Sequence, residues 1–363
     1  MLFQVQKIHE WYEKNERLVS PAVFFFGFLF DNLTLQRIDR LFDISILLLW
    51  LFGASLGIFL TNVTRHKTTA GGILGSAEKW APPLIQFSFG ALFSGFTVFY
   101  MRSASFSTSW PFLAILLFIF IGNEFFKKRY LLLNFQVTIL FITVFFLSIF
   151  FVPIIVGEMG SLVFLASGVV SLIAVGAFVH FLFAVLPVGA RKNERALIRN
   201  VGIIYIAINI LYFTNIIPPI PLSLKDAGVY HFVSRNSGGN YSIEEEYRTW
   251  MDYFRTYPKV YLVPGNPLYL YSAVFAPTRI DTSIVHDWQY YSETKGKWIS
   301  SAKVTYPIFG GADGGYRGYS EKISLTPGKW RVNVATEQGQ ILGRVRFEIV
   351  SVSAPVSLKS IIR

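Results

Sequence analysis

The sequence predicts a membrane all-α bundle of about seven transmembrane helices followed by an all-β, immunoglobulin-like sandwich. Three observations carry that expectation. Hydrophobic residues make up 53% of the 363-residue chain and charged residues only 15%, where soluble domains carry about 25% charged residues; mean hydropathy is +0.46. The 36 Phe crowd into the part before residue 185, in runs approaching the roughly 20 residues a spanning helix needs. After IIPPIPLSL, residues 216–224, the pattern changes to short alternating segments separated by Gly-rich turns.

In chain order, Leu2, Val5, Ile8 and Tyr12 recur at helical spacing within a charged N-terminal stretch. This reads as an amphipathic helix in the membrane interface over 1–19, and as too charged for a cleavable signal peptide. Ser20 and Pro21 supply an N-cap and a first-turn proline. Apolar runs then fall at about 21–36, 42–61, 82–101, 107–123, 130–152, 161–187 and 200–217. The first is short, and FFFGFLFDNLTLQRIDRLFD, 24–43, breaks it with Asp31, Arg37, Asp39, Arg40 and Asp43. These five are read as a polar turn at the outer membrane surface, held by Asp–Arg pairs. The competing reading is an outer polar site, because acids inside a bilayer are costly without a role.

The loops set direction. Arg65, Lys67 and Lys79 occupy one loop, Lys127, Lys128 and Arg129 the second after it, and Arg191, Lys192, Arg195 and Arg199 the second after that. The loops between hold Arg102 alone, and Glu158 with no base. Basic loops stay in the cytoplasm. The N-terminus is therefore expected in the cytoplasm of a bacterial inner membrane, and everything after residue 218 in the periplasm. The net charge of +11 is read as this topology; no nucleic-acid-binding motif accompanies it. With no Cys in the chain, disulfides and thiolate chemistry drop out.

Small residues inside the runs suggest close helix packing: Gly53 and Gly57, Ala91 and Gly95, Ser167 and Ser171. Gly53 and Gly57 are also a candidate oligomer seam. GGILGS, 71–76, lacks the Gly-Lys-Ser/Thr of a phosphate loop. Helical rise places Asn123, Glu124, Asn134, Gln136 and His180 in one layer near the inner leaflet, as either a hydrogen-bond cluster or an ion relay.

In the C-terminal part, Ser242 and Glu245 form a capping-box pattern and Tyr247, Trp250, Met251 and Phe254 a stripe, so 242–254 reads as a short amphipathic helix. Alternating strands follow: Val332 and Val334 oppose Arg331 and Asn333, and Val345, Phe347 and Ile349 oppose Arg344, Arg346 and Glu348. His286, Trp288 and Tyr290 share one strand face, and GGADGGYRGYS carries Asp313, Tyr316, Arg317 and Tyr319. His286, Trp288, Tyr290, Tyr316, Arg317 and Tyr319 form the candidate ligand face, with a core role as the alternative for the first residues. Asp287 lies on the opposite strand face from His286, and no Ser nucleophile has a visible triad. The resulting boundaries are an interfacial helix over 1–19, a transmembrane domain over 20–217, a linker with the short helix over 218–258, an extracytoplasmic β-sandwich over 259–352 and a tail over 353–363.

HDWQYY, GGYRGYS and LTPGKWRVNVATEQGQILGRVRFEIV resemble a bacterial inner-membrane family with a C-terminal domain of unknown function. Its pattern has a His-x-Trp strand, an Arg-bearing segment, Pro-Gly-x-Trp-Arg-Val and a closing strand that Gly339, Gly343 and Phe347 supply here. FDNLTLQRID, FGALFSGFTVFYMRSASFSTSWPF and GNEFFKKRY resemble the helical region that precedes this domain. YRGYS departs from the family's Arg segment. The resemblance implies architecture and no catalytic residues, cofactor or metal. The expected function is a non-enzymatic membrane protein displaying a periplasmic sandwich that binds an envelope protein or glycan. The alternative is a transporter or embedded enzyme acting on a lipid-linked substrate; a sensor ranks behind both, for want of a cytoplasmic output domain.

Overall fold

A computed structural model describes residues 25–35, 39–66, 73–126, 129–187, 194–219, 221–247, 250–277, 280–312 and 314–363. The interfacial helix over 1–19, the start at Ser20 and Pro21, Arg37, Lys67, Lys127, Lys128, Arg191, Lys192 and Asp313 lie outside the described residues. The chain divides into two units. One is helical and comprises Met1–Met101, Phe112–Val152 and Phe164–Ile210. The other comprises Leu211–Arg363 with the connections Arg102–Pro111 and Pro153–Val163.

The described helices are α1 (residues 25–34), α2 (Leu41–His66), α3 (Ile73–Ser103), α4 (Phe106–Gly122), α5 (Leu133–Val156), α6 (Ser161–Val185) and α7 (Glu194–Phe213). Five of them, all but α1 and α4, are long and apolar enough to cross a membrane by length and composition, against the seven spans expected. The described part of α1 rises only about 15 Å, and α4 has 17 residues. Both lie in runs counted among the seven, the first of them short enough to be read as either a span or a segment that dips in and returns.

α3 and α5 are the central helices: 67% of each apolar window is buried, against 11% for α7. Their contact is aromatic. Tyr100 of α3 lies 4.8 Å from Phe112 of α4 and 4.9 Å from Phe150 of α5, between ring centroids. Glycine permits the neighbouring approach. A Cβ on Gly53 would stand 2.7 Å from Ser88 Oγ, and one on Gly57 would stand 2.7 Å from Ile85 and 3.1 Å from the Ala81 carbonyl. The Gly53–Gly57 step, read as a possible oligomer seam, is thus filled by α3 of the same chain.

The second unit holds eleven strands among the described residues: β1 (Ser223–Tyr230), β2 (Phe232–Arg235), β3 (Tyr241–Glu246), β4 (Lys259–Leu262), β5 (Leu268–Phe275), β6 (Asp281–Ser292), β7 (Lys297–Phe309), β8 (Tyr316–Lys322), β9 (Gly328–Thr336), β10 (Ile341–Ser351) and β11 (Leu358–Ile362). They form a three-stranded sheet β1-β5-β8, a five-stranded sheet β4-β10-β9-β6-β7 and a three-stranded sheet β11-β3-β2. All pairs are antiparallel except β4 with β10. One core gathers Val229, Leu270 and Val274 from the first sheet with Trp288, Val332, Val334 and Phe347 from the second. Met159, from the α5–α6 connection, packs against it. A smaller core joins the first and third sheets through Tyr230, Tyr241, Ile243 and Tyr271.

Two expectations are corrected here. Residues 242–254 are not one helix: 241–246 is β3, and only Trp250–Phe254 turns, as a 3-10 helix. Nor is 353–363 a tail, because Leu358–Ile362 is β11 and pairs with β3. Both errors have one cause. The capping-box signal is local, whereas β3 is held by a partner far downstream. Lys359 pairs with Glu245 at 2.9 Å, Arg363 pairs with Asp226, and Tyr241 and Arg363 exchange backbone hydrogen bonds. The supposed linker of 218–258 accordingly contains β1–β3, and the β domain runs from Ser223 to Ile362.

Ile243 is fully buried and Ile362 is 70% exposed. Ile243→Ala is expected to lose about 2–5 kcal/mol by chemical denaturation, and Ile362→Ala under about 0.5 kcal/mol. Ending the chain at residue 353 should destabilise the β domain at least as much as Ile243→Ala, a result that a mere tail would not give.

Candidate functional site

Polar side chains gather at four places in the described residues. The first is inside the helical unit. Asn62 of α2 donates to Gln136 Oε1 of α5 at 2.7 Å, and Gln136 donates to the Tyr130 carbonyl at 2.6 Å. The Tyr130 hydroxyl donates to Asn123 Oδ1, and Asn123 donates to the Gln86 carbonyl of α3 at 3.1 Å. Asn62, Asn123, Tyr130 and Gln136 are all buried. Of the residues expected in one layer, Asn123 and Gln136 are thus linked through Tyr130, with Asn62, Tyr130 and Gln86 as members that residue counting missed. Glu124 and Asn134 are half-buried beside it, and His180 is exposed on α6. These amides hydrogen-bond one another, which is how apolar surroundings tolerate them.

The second place is the outer cluster. The Asp31 carboxylate of α1 accepts from Ser94 Oγ of α3. Asp43 is buried in the first turn of α2, Asp39 is half-buried and Arg40 exposed. None of Asp39, Arg40 and Asp43 is free of partners.

The third place is the core of the β domain. His286 of β6 is fully buried, with Nε2 2.9 Å from Ser272 Oγ of β5 and 3.2 Å from the Tyr306 hydroxyl of β7. Its Nδ1 lies 2.9 Å from Ser320 Oγ of β8, and Trp288 Nε1 donates to that same Oγ at 3.0 Å. The indole can only donate, so Ser320 accepts from it. Each ring nitrogen thus meets hydroxyl oxygen: Nδ1 that of Ser320, and Nε2 those of Ser272 and Tyr306, which bond each other at 2.7 Å. Burial lowers the His286 pKa to about 3 and raises that of Tyr306. The Ser272–His286 distance is that of a nucleophile and base. However, both residues are fully buried, and the second ring nitrogen meets a serine instead of a carboxylate.

The candidate ligand face consequently does not assemble. His286 and Trp288 point inward from β6, and Tyr290 packs 5.6 Å from Trp330 between ring centroids. Tyr316 points inward from β8, against Phe309 and the main core. Arg317 and Tyr319 point the other way, toward the third sheet, where Tyr319 lies 6.2 Å from Tyr241 and from Tyr269. Alternation along each strand separates them.

The fourth place is the outward face of the five-stranded sheet. Registry aligns Arg346 of β10, Arg331 of β9, Gln289 of β6 and Ser300 of β7 in one cross-strand row, and Arg344, Asn333, Asp287 and Lys303 in the next. Arg331 Nε donates to Gln289 Oε1 at 2.7 Å, and Arg344 Nε donates to Asn333 Oδ1 at 2.6 Å. Asp287 accepts from Ser300 and Gln289, both neutral. The Arg331 guanidinium lies 4.4 Å from the centre of the Trp298 ring, which stacks on Tyr257. Burial, joined by the charges of Arg331 and Arg346, brings Arg344 down to about 10. The alternation of β9 and β10 was legible; the gathering of their arginines was not, because strand pairing was unknown.

Two outcomes follow from the buried networks. His286 stays neutral in the folded state while the unfolded chain takes up a proton below about pH 6.5. Its depressed pKa thus contributes nothing above that pH. Below it, stability falls by roughly 1.4 kcal/mol per pH unit, until the folded-state pKa of about 3. His286→Gln should flatten the acid limb of a stability–pH curve by that slope. In the helices, Gln136→Leu should cost about 1–3 kcal/mol by removing one acceptor of the Asn62 amide and the donor to the Tyr130 carbonyl, and Asn62→Leu in addition should recover part of that loss in detergent melts.

Comparison with known proteins adds little beyond the C-terminal region. No curated protein matches the chain. Among solved structures, Pseudomonas fluorescens alkylpurine DNA glycosylase AlkC, bound to DNA containing an abasic site analogue, aligns at 12% identity over 86% of this chain and 99% of that one. Its TM-score is 0.23, too low to indicate a common fold. Residues 281–349, which run from the start of β6 into β10 and include the arginine rows and the His286 network apart from Ser272, match the family described as a protein of unknown function, DUF2914.

Proposed function

We propose that this is a non-enzymatic integral membrane protein that anchors its β domain outside the cytoplasm of a bacterium and presents it to an envelope partner or glycan. The observation that carries the reading is the make-up of the second unit. It takes in the connections Arg102–Pro111 and Pro153–Val163, and Met159 packs on the β core. These are the two connections poor in Lys and Arg, so the positive-inside rule puts them outside. The β domain then shares their side.

The lipid-facing reading of the helices is supported by large apolar side chains turned outward, such as Phe52 at 63%, Ile173 at 66% and Ile203 at 58% exposure. An immunoglobulin-like sandwich is supported by two facing sheets. The sheet β4-β10-β9-β6-β7 carries a parallel pair at β4 and β10, facing β1-β5-β8 across a core that holds Trp288 in its second central strand. Two sheets packed over a buried Trp are shared with such sandwiches; the parallel β4–β10 pair, the third sheet and the missing disulfide depart from them. The transporter or lipid-substrate reading draws no support from Asn123 and Gln136, whose amides link helices, or from His180, which stands apart on α6.

A reporter fused after Arg363 tests the scheme. Alkaline phosphatase placed there should be active, green fluorescent protein dark, and the β domain of spheroplasts open to added protease. A fluorescent fusion with silent phosphatase would overturn it.

A further inference from the structure

We propose that the outward face of the five-stranded sheet is a binding site for an acidic polysaccharide, read by the guanidinium groups of Arg331, Arg344 and Arg346. The proposal deepens the envelope-binding reading and rests on it. Like charges directly opposite each other on neighbouring strands are destabilising, and Arg346 is paired with Arg331. Among the described residues no carboxylate forms an ion pair with any of the three arginines. The nearby acid, Asp287, instead accepts from Gln289 and Ser300. Asp287 offsets part of the charge of Arg331 and Arg344 through its field, but it is the single acid against three arginines and Lys303 in the two rows, so the face keeps a surplus of positive charge.

Two of the three groups are also held in place. Arg331 and Arg344 each give Nε to an amide oxygen of the sheet, and Arg331 rests on the Trp298 ring. Nε donation leaves the terminal nitrogens as paired donors, the geometry that matches a carboxylate or phosphate with two parallel hydrogen bonds. Because the side chains are fixed before any ligand arrives, little rotamer entropy is lost on binding. Partial burial strengthens each contact further, since water screens it less.

Spacing selects the ligand. Arg344 and Arg346 lie two residues apart on one strand, about 7 Å, and Arg331 is one strand over, about 5 Å. Such a set suits a polymer with one anionic group per unit better than a single ion. A uronic acid chain has that repeat, and its hydroxyls can meet the polar side chains of the two rows.

The test uses the full chain in nanodiscs of neutral phosphatidylcholine, with oligogalacturonate as probe in calorimetry. Binding is expected, weakening as salt rises. Arg346→Gln should reduce affinity about tenfold, and Arg331→Gln with Arg346→Gln should remove measurable binding, both with wild-type melting of the β domain. Arg331→Lys, which keeps the charge and loses the fork, should also weaken binding. No binding at low salt, or binding that the variants leave unchanged, overturns the proposal. So does equal affinity for inorganic phosphate, for a polyglutamate peptide or for phosphatidylglycerol vesicles, each of which removes the polysaccharide from the assignment. The residue-363 reporter reads the display side separately: a cytoplasmic reporter overturns display and leaves the calorimetry standing, and absent binding leaves display standing.

Discussion

The parity of β6 decides which groups in the β domain can meet anything outside it. His286 and Trp288 face the first sheet, and Asp287 and Gln289 face away from it. A slip of one residue would turn all four over. Two things fix the parity. Trp288 is fully buried in the main core, and His286 closes a hydrogen-bond circuit with Ser272, Ser320 and Tyr306. A bulge between Trp288 and Gln289 against β7 absorbs the extra residue without disturbing pairing to β9. The polar circuit thus acts as a register lock: it joins four strands of two sheets, and each group in it would be left unsatisfied in another register.

In the helical unit the buried amides obey the same rule, although the hydroxyls of Thr61, Ser88 and Tyr100 are buried without a hydrogen-bond partner. The unit's polar atoms lie among apolar side chains, so an amide there must find a protein partner. Asn62, Gln136 and Asn123 do so by spanning helices, with a reach that ties α2 to α5 and the α4–α5 connection to α3. Thr97, Thr143 and Ser148 do so locally, each donating to the carbonyl four residues back. The first kind joins helices and the second only tolerates burial.

Legibility followed the range of the signal. Apolar runs, loop charge and strand alternation are local, and they marked the helical part, the switch near residue 218 and the opposite faces of β9 and β10. They also placed Asn123 and Gln136 in one layer, since depth along a helix is simple counting. What failed required a partner. Residues 242–246 read as a helix start until β11 is known to lie beside them. His286 and Tyr319 read as one face until β6 and β8 are known to belong to different sheets. Asn62 and Ser272 carry no sequence mark at all, because a lone amide or hydroxyl in an apolar run signals only that some partner exists. Strand and helix pairing is the missing term in each case.

The contrast between the two faces of the five-stranded sheet then takes a definite physical form. On the inner face the polar groups of β6 are matched: both ring nitrogens of His286 and the Trp288 indole have hydroxyl partners. On the outer face, amides and a serine satisfy the one acid in the two rows, and the arginines keep their terminal donors. Stability alone would be served by an acid opposite Arg331, at position 346, where Arg346 stands instead. Neutral substitutions there would also remove mutual repulsion without touching the core. A sheet that matches the His286 circuit inside, yet gathers more prepositioned cations than acids outside, has hydrogen-bonding capacity directed toward something other than itself.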